Sequence, residues 1–216
     1  MVNHHKHLNK HQVLSETELS RIAAVVGEVE KTAQGEIVPM VVSRSGPYQS
    51  AHWRLAISIC WMISAVLLYE RPDIEPWKLL ALQVPFLWVG WLISKIPPVL
   101  RAVLSRAEVG AEVHRRALEA FYYHHLHLTV DQSGILIFIS CFDRRVVILA
   151  DEGIHSRVEH GIWDQVVQRM LPMIKIGDIV GALEYGVKEC GKILAAHLPA
   201  VGRTSNQLSN RPILGD

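Results

Sequence analysis

The chain is poor in cysteine. Cys60, Cys141 and Cys190 are its only three, each in a different apolar context. They suggest no pairing pattern, which fits a reducing compartment or small buried side chains. It is also poor in net charge: 22 Lys and Arg against 21 Asp and Glu leave +1. No global field therefore points to an acidic substrate. The basic residues are dispersed rather than striped among aromatics, which argues against a nucleic-acid partner. Several catalytic signatures are absent. There is no G-x-x-x-x-G-K-S/T or G-x-G-x-x-G phosphate loop, no G-x-S-x-G elbow and no H-E-x-x-H, and no Cys–His pair is suggested by position. The opening residues MVNHHKHLNKH hold no apolar core segment, so no cleavable signal peptide is expected.

Long apolar runs are what the chain does have, and its mean hydropathy is +0.19. Leu55 to Tyr69 and Leu79 to Ser94 carry no charge, and Gln83 interrupts the second run. Between them lie Glu70, Arg71, Pro72, Asp73, Glu75 and Pro76. A helix needs about 20 apolar residues to cross a bilayer, with about 17 as the floor. The first run reaches that floor when Trp53 and Tyr69 are counted as its ends, which suits residues that favour the lipid interface. Arg54, Trp77, Lys78, Lys95 and Arg101 are the other expected interface residues. Residues 51–97 are thus read as a transmembrane helical hairpin, with a hairpin buried in a soluble core as the competing reading. Excess Lys and Arg on its flanks predicts both termini in the cytoplasm and the loop outside. Small and polar Ala56, Ser58, Ser64, Ala65, Gln83 and Gly90 suit helix–helix contacts, within the hairpin or between copies.

The rest divides around this insertion. Residues 1–13 form a histidine-rich tail with His4, His5, His7 and His11, expected to be disordered and to bind metal only adventitiously. Ser15 with Glu18 forms a capping box, and Leu19, Ile22, Ala23, Val26 and Val29 recur at helical spacing. Glu36 to Ser43 reads as a strand, at an edge or bulged because Pro39 cannot donate to a ladder. After Pro97-Pro98 one long helix is expected, from about Val99 to His125. Ile135–Cys141 and Val146–Ala150 read as a hairpin of two strands. Helices from Trp163 to Ile174 and from Gly177-Asp178 onward follow, Pro172 shortening or kinking the first. Residues 199–216 are expected to be a polar tail. The fold class is α/β, a small mixed sheet flanked by helices, its domain (14–50 and 99–198) interrupted by the hairpin.

Three stretches carry a resemblance. Thr32-Ala33-Gln34-Gly35-Glu36-Ile37-Val38-Pro39, Gly134–Ser140 and Asp143–Ile154 resemble the TPM domain family, and most closely its bacterial membrane branch with a helical hairpin inside the domain. The similarity extends through Trp163 and Gly177–Gly191 into Leu198-Pro199 and Asn206-Gln207-Leu208. It implies an α/β/α sandwich in a bacterial inner membrane protein. The functions it implies are mixed: weak acid phosphatase activity, assembly or repair of membrane complexes, and ion-channel modulation. Soluble members resembling this stretch tend to carry acids where Leu149 and His155 stand here.

Candidate chemistry lies at strand ends, where α/β folds place function. Asp143, Arg144 and Asp151 are the catalytic candidates, with Glu36, Asp151 and Glu152 the candidate ligands for Ca²⁺ or Mg²⁺, which want oxygen donors. Such an ion with Arg144 would polarise a phosphate. Against this, a strand of about five residues separates Asp143 from Asp151 by ~17 Å. Turn chemistry alone also favours Asp and Gly at both places. His124 and His127 would share a helix face, without a third ligand at an obvious spacing. The favoured expectation is a non-enzymatic, membrane-anchored module that serves a membrane protein partner or self-associates. A metal-dependent phosphatase is the alternative.

Overall fold

Ser15 caps a helix as its spacing from Glu18 predicts. Its Oγ accepts from the Glu18 N–H at 3.3 Å, and the Glu18 carboxylate accepts from the Ser15 N–H at 2.7 Å. From this start the computed structural model describes residues 14–129, 132–159, 161–199 and 208–215. The histidine-rich segment 1–13 lies outside the described residues. The chain forms two compact units, one from its segments up to Ser45 and from Gly110 onward, the other from Gly46 to Val109.

The first unit is α/β. Helix α1 (Glu16–Val29) is followed by strand β1 (Glu36–Val42), and after the second unit come β2 (Gly134–Ser140) and β3 (Arg145–Ala150). One four-stranded sheet results, in the order β3-β2-β1-β4, where β4 is Ile213–Gly215. β1 runs parallel to both β2 and β4, and β2 antiparallel to β3, so the sheet is mixed.

Side chains alternate across a strand. Ile37 and Val41 of β1, with Ile135, Ile137 and Ile139 of β2, therefore share one face, against α1, α7 (Ile162–Ile176) and α8 (Ile179–His197). Burial continues on the opposite face at Val38, Met40, Leu136 and Phe138. There the C-terminal half of α5 (Arg106–Tyr123) and β4 line a cavity of about 460 Å³ with Met40. The near-continuous apolar run ILIFIS is what a strand covered on both faces requires.

Pro39 is expected at an edge or a bulge, yet β1 is an inner strand. The alternation explains how it is tolerated. The Glu36 N–H and the Val42 carbonyl turn toward the β2 side, bonding the Ser133 carbonyl and the Cys141 N–H. Ile37 and Ser43 N–H turn the other way, to the Glu30 carboxyl and the Gly215 carbonyl. Pro39 shares the parity of Ile37, so its missing donor faces the β4 side, and β4 pairs only with Met40–Val42. Among the described residues no strand pairs with Pro39 on that side, so its missing donor costs no ladder bond.

Three other expectations are corrected. The single helix after Pro97 is two, α4 (Pro97–Val103) and α5, because Ser105 and Glu108 form a second reciprocal cap, with both bonds 3.1 Å. Ile213–Gly215, expected in a polar tail, supply β4. Helix α7 continues through Pro172 to Ile176 and ends at Gly177, whose φ of 90° suits glycine.

The second unit holds α2 (Gln49–Glu70), α3 (Pro76–Ser94) and α4. At 1.5 Å per residue, the 22 residues of α2 and the 19 of α3 reach about 33 and 28 Å. Helix α2 begins earlier than Trp53, which gives the first run the length that its apolar core alone barely supplies. His52, Ala56, Cys60 and Ser64 recur every fourth residue and are buried. Gly90 sits so close to Ala56 that a Cβ there would lie 2.8 Å from the Ala56 Cα. The His52 Nδ1 and Ser94 Oγ hydrogen-bond at 2.8 Å, and the Cys60 thiol reaches the Gln83 carbonyl at 3.7 Å. Small residues thus let the two backbones meet, as in membrane helix pairs. Ser58 and Ala65 point outward instead.

Candidate functional site

The strand-end candidates separate into two groups at opposite ends of β3. At the β2–β3 turn, the Asp143 Oδ2 accepts from the Ser140 hydroxyl at 2.6 Å and from the Ser45 N–H at 3.0 Å. Asp143 therefore ties the turn to the segment leaving β1. Arg144 is exposed, with φ of 50°, the left-handed conformation a tight hairpin demands. Beside it the Arg44 guanidinium lies 4.0 Å over the buried Phe142 ring, a cation–π contact that shields the turn's apolar side.

The other end gathers Glu36, Asp151 and Glu152. Glu36 is in register with Gly134, and the Asp151 N–H donates to the Gly134 carbonyl at 2.9 Å, so both acids flank the start of β2. Gly134 is needed there because a Cβ would stand 2.5 Å from the Leu126 carbonyl oxygen. Asp151 caps a short helix, α6 (Glu152–His155), its Oδ1 accepting from the Glu152 N–H at 2.9 Å. Glu152 is exposed. The Glu36 Oε2 accepts from the Leu208 N–H at 3.3 Å. Among the described residues no three His, Cys, Asp or Glu side chains stand where they could hold a metal ion. Glu36, Asp151 and Glu152 are accordingly not such a group.

The sequence does not single out one further carboxyl at this end. Glu30, just past α1, accepts from the Ile37 N–H at 3.0 Å and so finishes the edge of β1 ahead of β4. Burial pushes its pKa up to about 7, helped by the nearby Glu36, against the hydrogen bonds from Ile37 and Asn210. Glu30 lies between Val29 and Lys31 at the end of α1, which reads as an ordinary solvated helix end. Only the reversal of the chain between α1 and β1 turns it inward.

The histidine cluster changes shape. Helix α5 stops at Tyr123, and His125 adopts φ of 58°, so His124 and His127 do not share a helix face. The rings of His125 and His127 are 6.1 Å apart instead, with Tyr122 5.1 Å from His127. The cysteines are free. Burial raises the pKa of the Cys190 and Cys141 thiols.

The expected interface residues lie at the two ends of the hairpin. At one end Arg54 grips Glu108 with two bonds of 2.5 and 3.0 Å, and Lys95 lies 4.3 Å over the Trp91 ring. Trp53 is exposed, and Arg101 is half-buried on α4. The Arg54 fork and the Ser105 cap hold the Glu108 pKa down at about 2. At the other end Tyr69 and Trp77 are exposed, the Trp77 Nε1 donates to Glu75 at 2.7 Å, and Lys78 pairs with Glu75 at 3.2 Å. Between these ends the outward side chains are large and apolar: Trp61 is 74% exposed, Trp88 64% and Val84 62%. Both helices are long and apolar enough to cross a membrane.

Residues 101–193 match the family model described as the TPM domain, from within α4 through most of α8. The match is narrower than the span from Thr32 to Leu208 that carries the resemblance, leaving out β1. No curated protein matches the chain. Among solved structures, the NMR structure of BA42 protein from the psychrophilic bacterium Bizionia argentinensis is similar in fold, with a TM-score of 0.60 at 19% identity. That likeness covers 95% of this chain and 98% of the other.

Proposed function

We propose that this chain, whose residues 101–193 match the TPM domain model, is a member of that family and works as a membrane-anchored interaction module rather than as a hydrolase. The reading is carried by the surface of α2 and α3. A hairpin serving as the core of a soluble protein would be covered, yet only 28% of the most apolar stretch of α2 and 11% of that of α3 are buried. Apolar surface on that scale needs a covering, and a bilayer supplies one of the right thickness. Residues before and after the hairpin pair in one sheet, Glu36–Val42 with Gly134–Ser140. Two crossings return the chain to the side it left, which such a sheet requires. The flanking basic residues favour the cytoplasmic face of a bacterial inner membrane for both termini.

A domain held against lipid on two sides of an insertion meets neighbours in the membrane more readily than diffusing substrates. We assign it to assembly or maintenance of a membrane protein complex, with a different membrane protein or a second copy as partner. Outward Ser58 and Ala65 are available for helix contacts between copies. On the catalytic side, Asp143 and Asp151 stand at opposite ends of β3, the Asp143 Oδ2 accepting from Ser140 and Ser45 and the Asp151 Oδ1 from the Glu152 N–H.

Cysteines placed singly in residues 14–45, in the 71–75 loop and in 120–199 test the topology with an impermeant thiol reagent on intact cells and on inverted vesicles. The loop should react from outside and the other two segments only from inside. Labelling 14–45 and 120–199 from opposite faces would refute it. A phosphomonoester assay with Ca²⁺ or Mg²⁺ tests the second half. Turnover that Asp143→Asn or Asp151→Asn abolishes in a folded protein would establish the phosphatase instead.

A further inference from the structure

The cations flanking the hairpin in sequence are not equivalent once their partners are known. Arg54 is neutralised by Glu108, and Arg115 by Glu112 at 2.5 Å and by Glu119, which also faces Arg116 at 3.6 Å. Among the described residues Lys95 and Arg106 have no carboxylate partner, and both are exposed. Lys95 closes the C-terminus of α3, where the helix dipole already favours a cation. Arg106 opens α5 just beyond α4. Between them, exposed Ile96 precedes α4 and exposed Pro97 and Pro98 open it, while its Leu100 is buried. Within this unit, then, an apolar strip at the end of a span is bracketed by two unneutralised cations, one of them stacked on a tryptophan. The loop end differs: Glu70, Asp73 and Glu75 outnumber Arg71 and Lys78.

We infer that Lys95 and Arg106, with the Trp91 ring and the Ile96–Pro98 strip, form a docking site for anionic phospholipid headgroups. The inference rests on the membrane reading above and adds to it a lipid preference. A lysine stem can lie along the apolar boundary while its ammonium reaches the phosphate, and tryptophan favours that same depth. Charges at an anionic surface are worth about fivefold in affinity each.

The full chain, purified in a neutral detergent, is titrated with phosphatidylglycerol or phosphatidylcholine, and retained lipid is counted by native mass spectrometry. Phosphatidylglycerol should be retained preferentially. The preference should fall about fivefold with Lys95→Gln or Arg106→Gln, survive K95R/R106K, and fade at 0.5 M salt, where the screening length shrinks to a few ångströms. Equal retention of the two lipids overturns the inference. So does a preference that persists in K95Q/R106Q, or displacement of the lipid by equimolar inorganic phosphate, which would mark a general phosphate site. If the glutamine variants do not fold, the charge-keeping pair and the salt series decide in their place. Extraction of wild-type membranes with alkaline carbonate separates the two failures. Release of the protein sinks the membrane reading, whereas retention without a lipid preference sinks only this inference.

Discussion

Removing the charge from Glu30 offers the sharpest test of how the sheet is finished. In the folded chain this carboxyl accepts from the Ile37 N–H and is buried enough to sit at about 7 instead of 4.5. Between these values the folded protein holds a proton that the unfolded chain has released. Stability is therefore complete below about pH 4.5 and is lost as pH rises through about 7. A shift from 4.5 to about 7 corresponds to at most about 3.4 kcal/mol at about 1.4 kcal/mol per pH unit. Water reaches part of the group, so about 2 kcal/mol is the expected loss between pH 5 and pH 8. For an α/β unit of this size that is a fall of about 4–8 °C in Tm. Glu30→Gln keeps an acceptor for Ile37 and has no proton to lose, so its Tm should be flatter over the same range. The measurement is the difference between wild type and variant, by circular dichroism of the full chain in detergent, which cancels the histidines common to both. Equal slopes for the two proteins would show that Glu30 is not the titrating group and would refute the burial argument.

Other perturbations follow from single contacts. Gly90→Leu drives a side chain into the Ala56 backbone and should cost about 1–3 kcal/mol, read as a lower melting point in detergent; an unchanged value would mean that α2 and α3 do not meet there. Ser15→Ala removes one half of the α1 capping box and should lower stability by about 1 kcal/mol, measured by chemical unfolding, whereas Ser20→Ala serves as the neutral control. Asp143→Ala leaves the Ser140 hydroxyl and Ser45 N–H without their acceptor and should destabilise by about 1–3 kcal/mol. Asp143→Asn, which keeps one acceptor oxygen, should recover most of that loss.

Features set by near neighbours are legible in the sequence alone. The Ser15–Glu18 cap, the apolar periods of α1 and α8 and the continuous apolar run of β2 each depend on residues a few positions apart. The Ser105–Glu108 cap is equally local. It is masked because apolar residues at helical spacing on both sides make α4 and α5 look continuous. At the candidate site, counting residues is enough to place Asp143 and Asp151 at opposite ends of a strand. Glu30 cannot be found that way, since nothing in Val29-Glu30-Lys31 distinguishes it from a solvated helix end.

The sequence by itself determined the element types, the mixed α/β class and two helices long and apolar enough for a membrane, because hydrophobic period and capping act over one or two turns. Tertiary structure decided what depends on contacts between distant segments. β4 exists because β1 offers it three residues of ladder; Ile213-Leu214-Gly215 is too short to declare itself among Pro, Gly and polar neighbours. Pro39 is admitted to an inner strand because its missing donor points where that ladder has not begun. Burial beside segments distant in sequence, Asn210 among them, likewise sets the environment of the Glu30 carboxyl. Its proton is held by burial, and burial is a property of the assembled fold.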